Sequence, residues 1–317
     1  MTRVGVVGAG PMGRLHARTV RRLADRGHPC QLVRVFDRHV GRAEVLAAET
    51  GAAASNHLDA FAEQVDVVII AVPAAAHLDL SKALLDRGLD LLVEKPLAGS
   101  VAEAESLIEA ARRADRILQV GHIEWYNPSW RQAVSQVGTL SRIEVDRLQP
   151  SSTRGRDIDV VQDLMLHDLD WTLRLLGGAV SSLEAWGRCV EADQLDEAEA
   201  RIRFESGCVV CLRASRVHRL RRREARIQGS AGFRTADLES GGVESTDRAT
   251  LCAGKGEGRD SLESQWLDFL EAIRSRKAPV NDGRVGVDAL RWVDRVRDAI
   301  STGTGSSSLD DHTHLRG

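Results

Sequence analysis

Short apolar runs alternate with helix-spaced stretches over the first 121 residues. Val4–Val7, Leu32–Phe36, Asp66–Ala71, Leu89–Val93 and Ile117–Val120 are nearly continuous in apolar character. Runs of that kind suit strands covered on both faces, as in parallel sheets. Between them lie Met12–Arg26, Arg42–Thr50, Ala76–Arg87 and Val101–Ala114, rich in Ala, Leu, Arg and Glu at helical spacing. Strand–helix alternation at this period predicts a doubly wound α/β domain over residues 1–121.

Beyond Gly121 the texture changes. Gly138–Leu148, Val180–Val190, Glu199–Glu205, Gly207–Ser215, Glu224–Gly229 and Gly232–Leu238 read as strands that follow one another through turns such as Glu205-Ser206-Gly207. Strands without intervening helices predict a large, mainly antiparallel open sheet with one wetted face, in an α+β domain over 122–302. A helix near Val160–Leu176, stopped by Gly177-Gly178, precedes this sheet. Helices near Ser261–Arg276 and Arg284–Ser301 follow it, and the last, about 284–302, could pack back on the first domain. The Gly/Ser-rich end, 303–317, is expected to be a mobile tail.

Composition narrows the functional classes. The 317 residues carry 43 Lys+Arg against 46 Asp+Glu, a net charge of −3, with 43% apolar residues. That balance gives no electrostatic footprint for nucleic acid or an anionic membrane. No apolar run approaches the roughly 20 residues of a membrane helix. A strand follows Met1-Thr2-Arg3 directly, with no leader-like segment, and the Cys count is a sparse 5. Both features predict a reduced, cytoplasmic setting.

Three constellations carry chemistry. Gly8-Ala9-Gly10-Pro11-Met12-Gly13 follows a strand and opens a helix, which is the context a dinucleotide-binding G-x-G-x-x-G requires. Gly8 suits the tight turn, Gly10 the close approach of a pyrophosphate and Gly13 helix–strand packing, with the diphosphate on the helix N-terminus. Asp37, 24 residues after Gly13, ends the second strand, where a carboxylate accepts ribose hydroxyls and repels a 2′-phosphate. This favours NAD, while the neighbouring Arg38 leaves NADP open.

Glu94-Lys95-Pro96 stands at the carboxyl end of the fourth apolar run, the side of an open α/β sheet on which ligands bind. Pro96 restricts Lys95 to an extended conformation. A lysine beside a cationic nicotinamide should lose its proton more readily, which suits proton relay. In the helix, Asp163 and His167 are i, i+4 neighbours and Asp170 is i+3 from His167. A carboxylate that fixes a His tautomer suits general acid/base work, although such spacing also makes ordinary surface ion pairs. No second ligand pair suits a metal.

Other features read as packing or surface. Cys208 and Cys211 would point to opposite faces of a strand, Arg219–Arg226 suits a solvated strand face, and Trp266 and Trp292 sit at core positions of late helices. Trp125, Tyr126 and Asn127 follow the domain switch and are substrate-pocket candidates. Arg154 and Arg156 are candidates for a substrate phosphate, with solvated loop arginines the alternative.

Taken together, the Gly-rich turn, Pro73 with His77, Glu94-Lys95-Pro96, the Asp163-x-x-x-His167 helix and Asp282-Gly283 with Ala289-Leu290 resemble the glucose–fructose oxidoreductase/inositol dehydrogenase (Gfo/Idh/MocA) family. The resemblance implies a Rossmann domain joined to an α/β domain with a large open sheet, in a homodimer or homotetramer. It implies Lys95 as the catalytic lysine, Asp163 as its partner and His167 as the acid/base. It also places Pro11, Met12, Val72, Pro73, His77 and Glu94 around the cofactor. Gln162–Asp170 and Gly121-His122-Ile123-Glu124 with Asn127-Pro128 look like the branch that oxidises the 3-hydroxyl of UDP-N-acetylglucosamine. Position 125, usually Arg in that branch, is Trp125 here. The expected activity is hydride transfer between nicotinamide and a secondary alcohol of a nucleotide sugar. An inositol or cyclitol dehydrogenase and a keto-sugar reductase are the alternatives, and a non-catalytic dinucleotide sensor is the rival from another class.

Overall fold

Six parallel strands form the first sheet of the computed structural model, which describes residues 1–151, 158–245 and 260–303. They are β1 (Thr2–Val7), β2 (Cys30–Phe36), β3 (Ala53–Ser55), β4 (Val67–Ile70), β5 (Asp90–Val93) and β6 (Leu118–Val120). Helices α1 (Pro11–Asp25), α2 (Val40–Thr50), α3 (Leu58–Ala62), α4 (His77–Leu85) and α5 (Val101–Ala114) connect them. The spatial order β3-β2-β1-β4-β5-β6 puts the topological switch between β1 and β4. Ligands of open α/β sheets bind outside the strand ends at that switch. Consecutive residues Val67, Val68, Ile69 and Ile70 are fully buried, as are Val6 and nearly Val7, so these central strands are apolar on both faces, as a covered parallel sheet requires.

The second sheet has seven strands, β7 (Leu140–Leu148), β8 (Val180–Arg188), β9 (Glu197–Phe204), β10 (Val209–Ser215), β11 (Arg222–Gly229), β12 (Gly232–Asp237) and β13 (Val243–Ser245). Their order is β13-β12-β11-β7-β10-β9-β8. It is not wholly antiparallel: β10 runs parallel to β7, with Val209 opposite Arg142 and Ser215 opposite Leu148. A helix and two strands intervene between β7 and β10, so the chain returns in the same direction. Helices α6 (Pro128–Ser135) and α7 (Leu166–Leu176) pack through Trp130 and Trp171, stacked at 4.9 Å between ring centroids. The opposite face is charged. Arg142, Glu144, Glu199, Arg201 and Arg213 line an open basin of about 470 Å³ there.

Two compact units result. One holds the chain to Tyr126 and resumes for α8 (Ser261–Ser275) and the stretch to Asp288; the other starts at Asn127 and resumes at Ala289, within α9 (Gly283–Ser301). The last helix thus contributes its first turns to the first unit and its remainder to the second.

The short elements β3, α3 and β13 escape sequence reading because a few residues show no period. Helix α6 carried a readable signal, Asn127 at the N-cap with Pro128 at the first position. Trp292 departs from its expected core position: it is half-buried, with the Arg295 guanidinium 3.8 Å from its ring centre. Cys208 precedes β10 rather than lying in it, and is buried. Of the basic run at Arg219–Arg226, Arg222 and Arg226 are not simply solvated: both reach the buried Asp146 at 3.4 Å. The proposed tail beyond Gly303 and Arg154 and Arg156 lie outside the described residues.

Candidate active site

The glycine turn fills the switch point between β1 and β4. Gly8 has φ +100°, and a side-chain carbon there would stand 2.3 Å from the Ala71 carbonyl oxygen. One on Gly13 would stand 1.7 Å from the Gly8 oxygen. Both glycines are therefore demanded by the fold itself. Gly10 is different, with nothing within 4 Å of that position. Its missing side chain leaves open space at the start of α1, which has Pro11 at the first position, no side-chain cap and no acidic residue in the first turn. An uncompensated helix N-terminus behind an open glycine fits a dinucleotide diphosphate.

Asp37 closes the turn. Its Oδ2 accepts the Ala9 N–H at 2.8 Å and its Oδ1 accepts the His39 N–H at 2.8 Å. A carboxylate offers about four acceptor sites, so capacity for ribose hydroxyls remains. Arg38 beside it is exposed.

The segment after β5 is held from several sides. Glu94 is 6% exposed; its Oε1 lies 2.7 Å from His16 Nε2, and its Oε2 accepts the Lys95 N–H at 3.2 Å. His16 Nδ1 in turn accepts the Trp266 indole N–H at 3.1 Å. Burial by itself would raise the Glu94 pKa, but the His16 hydrogen bond and the Lys95 charge outweigh it and hold it below the usual carboxylate range. Gly121 packs against this carboxyl group, since a side-chain carbon there would lie 3.0 Å from it.

His77 places Nδ1 2.8 Å from the Pro96 oxygen and Nε2 2.9 Å from the Val72 oxygen. Burial pushes its imidazole pKa down, against those carbonyls. His77 and Glu94 were expected around the cofactor. The His77 ring nitrogens lie against the Val72 and Pro96 carbonyls, and Glu94 accepts the Lys95 N–H. Lys95 itself is half-buried, as are Met12 and Val72, while Pro11 and Pro73 are exposed.

In the second unit the helix is anchored at its entry. Asp159 Oδ1 accepts the Gln162 N–H at 3.0 Å. Arg297 donates to Asp159 Oδ2 at 2.7 Å and to Gln162 Oε1 at 2.8 Å. A π-turn at Val161–Met165 then leads into α7. The expected uniform helix is therefore locally widened, a feature frequent at functional sites. Between 160 and 172, all of them described residues, only Asp163 and His167 are not buried. Asp170, expected to share the His167 face, is buried and paired with Arg174 at 3.4 Å. Asp168 is held by Arg147 through two 2.7 Å hydrogen bonds.

Of the pocket candidates, Tyr126 donates its hydroxyl to Asp268 Oδ2 at 2.7 Å. Asn127 caps α6, accepting the Ser129 N–H at 3.0 Å and donating to the Leu238 oxygen at 2.9 Å. Both serve the fold in these contacts; Trp125 is half-buried. Sequence reading missed His16, Trp266, Asp159 and Arg297. His16 lies one turn beyond Gly13, a visible hint, but nothing local ties Trp266 to it across 250 residues. Among the described residues no cluster could hold a metal ion, and no helix is long and apolar enough to cross a membrane.

A glycine turn at the switch of a parallel sheet, with an acid just after β2 and a second unit built on an open sheet, defines the dinucleotide-binding α/β class. Residues 2–122 match the oxidoreductase family with an NAD-binding Rossmann fold, and residues 122–233 match the GFO/IDH/MocA C-terminal domain. The chain belongs to the Gfo/Idh/MocA family. It is 33% identical to UDP-N-acetylglucosamine 3-dehydrogenase of Acidithiobacillus ferrooxidans, over 94% of this chain and 97% of that protein. A solved structure of that enzyme superimposes with a TM-score of 0.84 at 32% identity, covering 96% of this chain and 99% of the other. A myo-inositol dehydrogenase of Streptomyces leeuwenhoekii is 31% identical over 67% of this chain and 69% of its own.

Proposed function

We propose that the chain oxidises a secondary alcohol of a nucleotide sugar, with UDP-N-acetylglucosamine at C3 the leading substrate. The observation that carries this reading is the 33% identity to the Acidithiobacillus ferrooxidans enzyme across 94% of the chain. It is supported by Asp163 and His167 being the only residues from 160 to 172 that are not buried. NAD, when bound, supplies the hydride acceptor. Gly8, Gly10, Gly13 and the α1 N-terminus take its diphosphate, and Asp37 the adenosine ribose. His167 and Lys95 handle the proton of the reacting hydroxyl, and Asp163 orients the imidazole. Run backwards, the same chemistry reduces a keto sugar. The assignment includes a cytoplasmic homo-oligomer with the domain boundary near Gly121.

One observation favours a cyclitol substrate instead, the 31% identity to a myo-inositol dehydrogenase. The test is a panel of UDP-sugars, free sugars and inositols, each with NAD and NADP, followed by the absorbance of reduced nicotinamide. Turnover with UDP-N-acetylglucosamine supports the proposal. Turnover with inositols alone replaces it, and NAD binding without turnover of any member leaves a dinucleotide sensor.

A further inference from the structure

The lysine after β5 is set by a buried chain of side chains from three distant parts of the sequence. Trp266 on α8 donates to His16 Nδ1 on α1 at 3.1 Å, and His16 Nε2 faces Glu94 Oε1 at 2.7 Å. Glu94 Oε2 accepts the Lys95 N–H at 3.2 Å. Trp266 and His16 are fully buried, and Glu94 nearly so.

An indole N–H can only donate. His16 Nδ1 must therefore carry the lone pair, and its one proton must sit on Nε2, aimed at Glu94. An imidazolium would set N–H against N–H, so Trp266 bars that state. The His16–Glu94 pair then keeps a net charge of −1 in the interior, where an unpaired charge is costly. The titratable groups that act on that carboxylate are His16 on α1, Lys95 beside it and His77 on α4. Of these, His16 cannot carry a second proton while it accepts from Trp266, and Lys95, next in the chain, supplies a positive charge that favours the Glu94 carboxylate.

We propose that Trp266, His16 and Glu94 form a positioning relay, in which the indole locks the histidine tautomer so that a fixed carboxylate holds the Lys95 peptide and attracts its ammonium. The proposal rests on Lys95 handling the substrate proton, and deepens that reading. A plain packing role for His16 would require only a ring of similar size. The relay requires a donor facing Glu94 and an acceptor facing Trp266. Gln supplies both, whereas Leu supplies neither.

The test uses the full-length protein with NAD bound, labelled with ¹⁵N-histidine and ¹³C-carboxyl glutamate. His16 should show a protonated Nε2 and an unprotonated Nδ1 near neutral pH. In His16→Leu the Glu94 carboxyl titration should move to higher pH, and in His16→Gln it should return towards the unsubstituted position. With the sugar that turns over, His16→Leu should lower kcat about tenfold while KM for NAD stays within about twofold, as for groups that orient a reacting one. A protonated His16 Nδ1, or a Glu94 titration unmoved in His16→Leu, overturns the relay. The resonance measurements need no substrate, so they decide the relay even if no sugar turns over. Full activity in Lys95→Ala would sink the catalytic reading alone.

Discussion

Arg147 on β7 and Asp168 on α7 form a two-pronged ion pair in the interior, with both hydrogen bonds at 2.7 Å and side chains 4% and 2% exposed. Trp171 adds an indole N–H to the same carboxylate at 3.2 Å. The pair pins the residue next to His167 to the sheet. Replacing Arg147 with Met strands a buried carboxylate, which costs about 3–5 kcal/mol. Urea unfolding should show that loss; an unchanged midpoint would refute the role.

Asp196 sets an acid limit on the second unit. Burial alone would raise its pKa, but the N–H groups of Glu191, Val190 and Ala192 and the Arg216 guanidinium bring it to about 2. A depressed folded pKa means stability fully present above the unfolded value near 3.8 and lost as pH falls towards 2. Asp196→Asn should remove about 2 kcal/mol near neutral pH and flatten the dependence below about pH 4. Unfolding free energies measured across that range decide it.

The three glycines of the turn should part company. Gly13→Ala forces carbon onto the Gly8 carbonyl and should destabilise the fold, whereas Gly10→Ala meets open space and should not. If a diphosphate approaches Gly10, the alanine variant should melt normally yet bind NADH at least about tenfold more weakly. Normal binding would remove the diphosphate from that position.

Lys95→Ala and His167→Asn should each lower kcat by about 10²–10⁴-fold, the usual scale of general acid/base contributions. NAD affinity should stay within about threefold, measured by fluorescence titration. A collapse of NAD binding together with turnover would make these groups cofactor ligands instead.

Asn127→Ala should cost about 0.5–2 kcal/mol, since its side-chain Oδ1 accepts the Ser129 N–H and caps α6. Activity per folded molecule should be unchanged. A rise in KM for the sugar at unchanged stability would return Asn127 to the substrate site.

Much of this protein is local in origin. The alternation of apolar runs and helical stretches sets up the parallel sheet, because strands covered on both faces leave no polar period. The glycine turn was legible for the same reason: Gly8 and Gly13 are required by backbone contacts within a few residues or across adjacent strands. The Asp163/His167 pair was singled out by α-helical offsets, but the π-turn at Val161–Met165 shows that offsets alone do not fix that helix face.

Tertiary structure decided what offsets cannot express. Which acids of the helix are fully buried depends on partners elsewhere in the chain: Arg147 takes the buried Asp168, while Asp163 is half-buried. The β7–β10 pairing is parallel because an excursion of the chain brings it back in the same direction. His16 accepts a hydrogen bond from an indole 250 residues away. Sequence carries short-range geometry, whereas a hydrogen bond between remote residues exists only once packing has excluded water and left each donor a single acceptor.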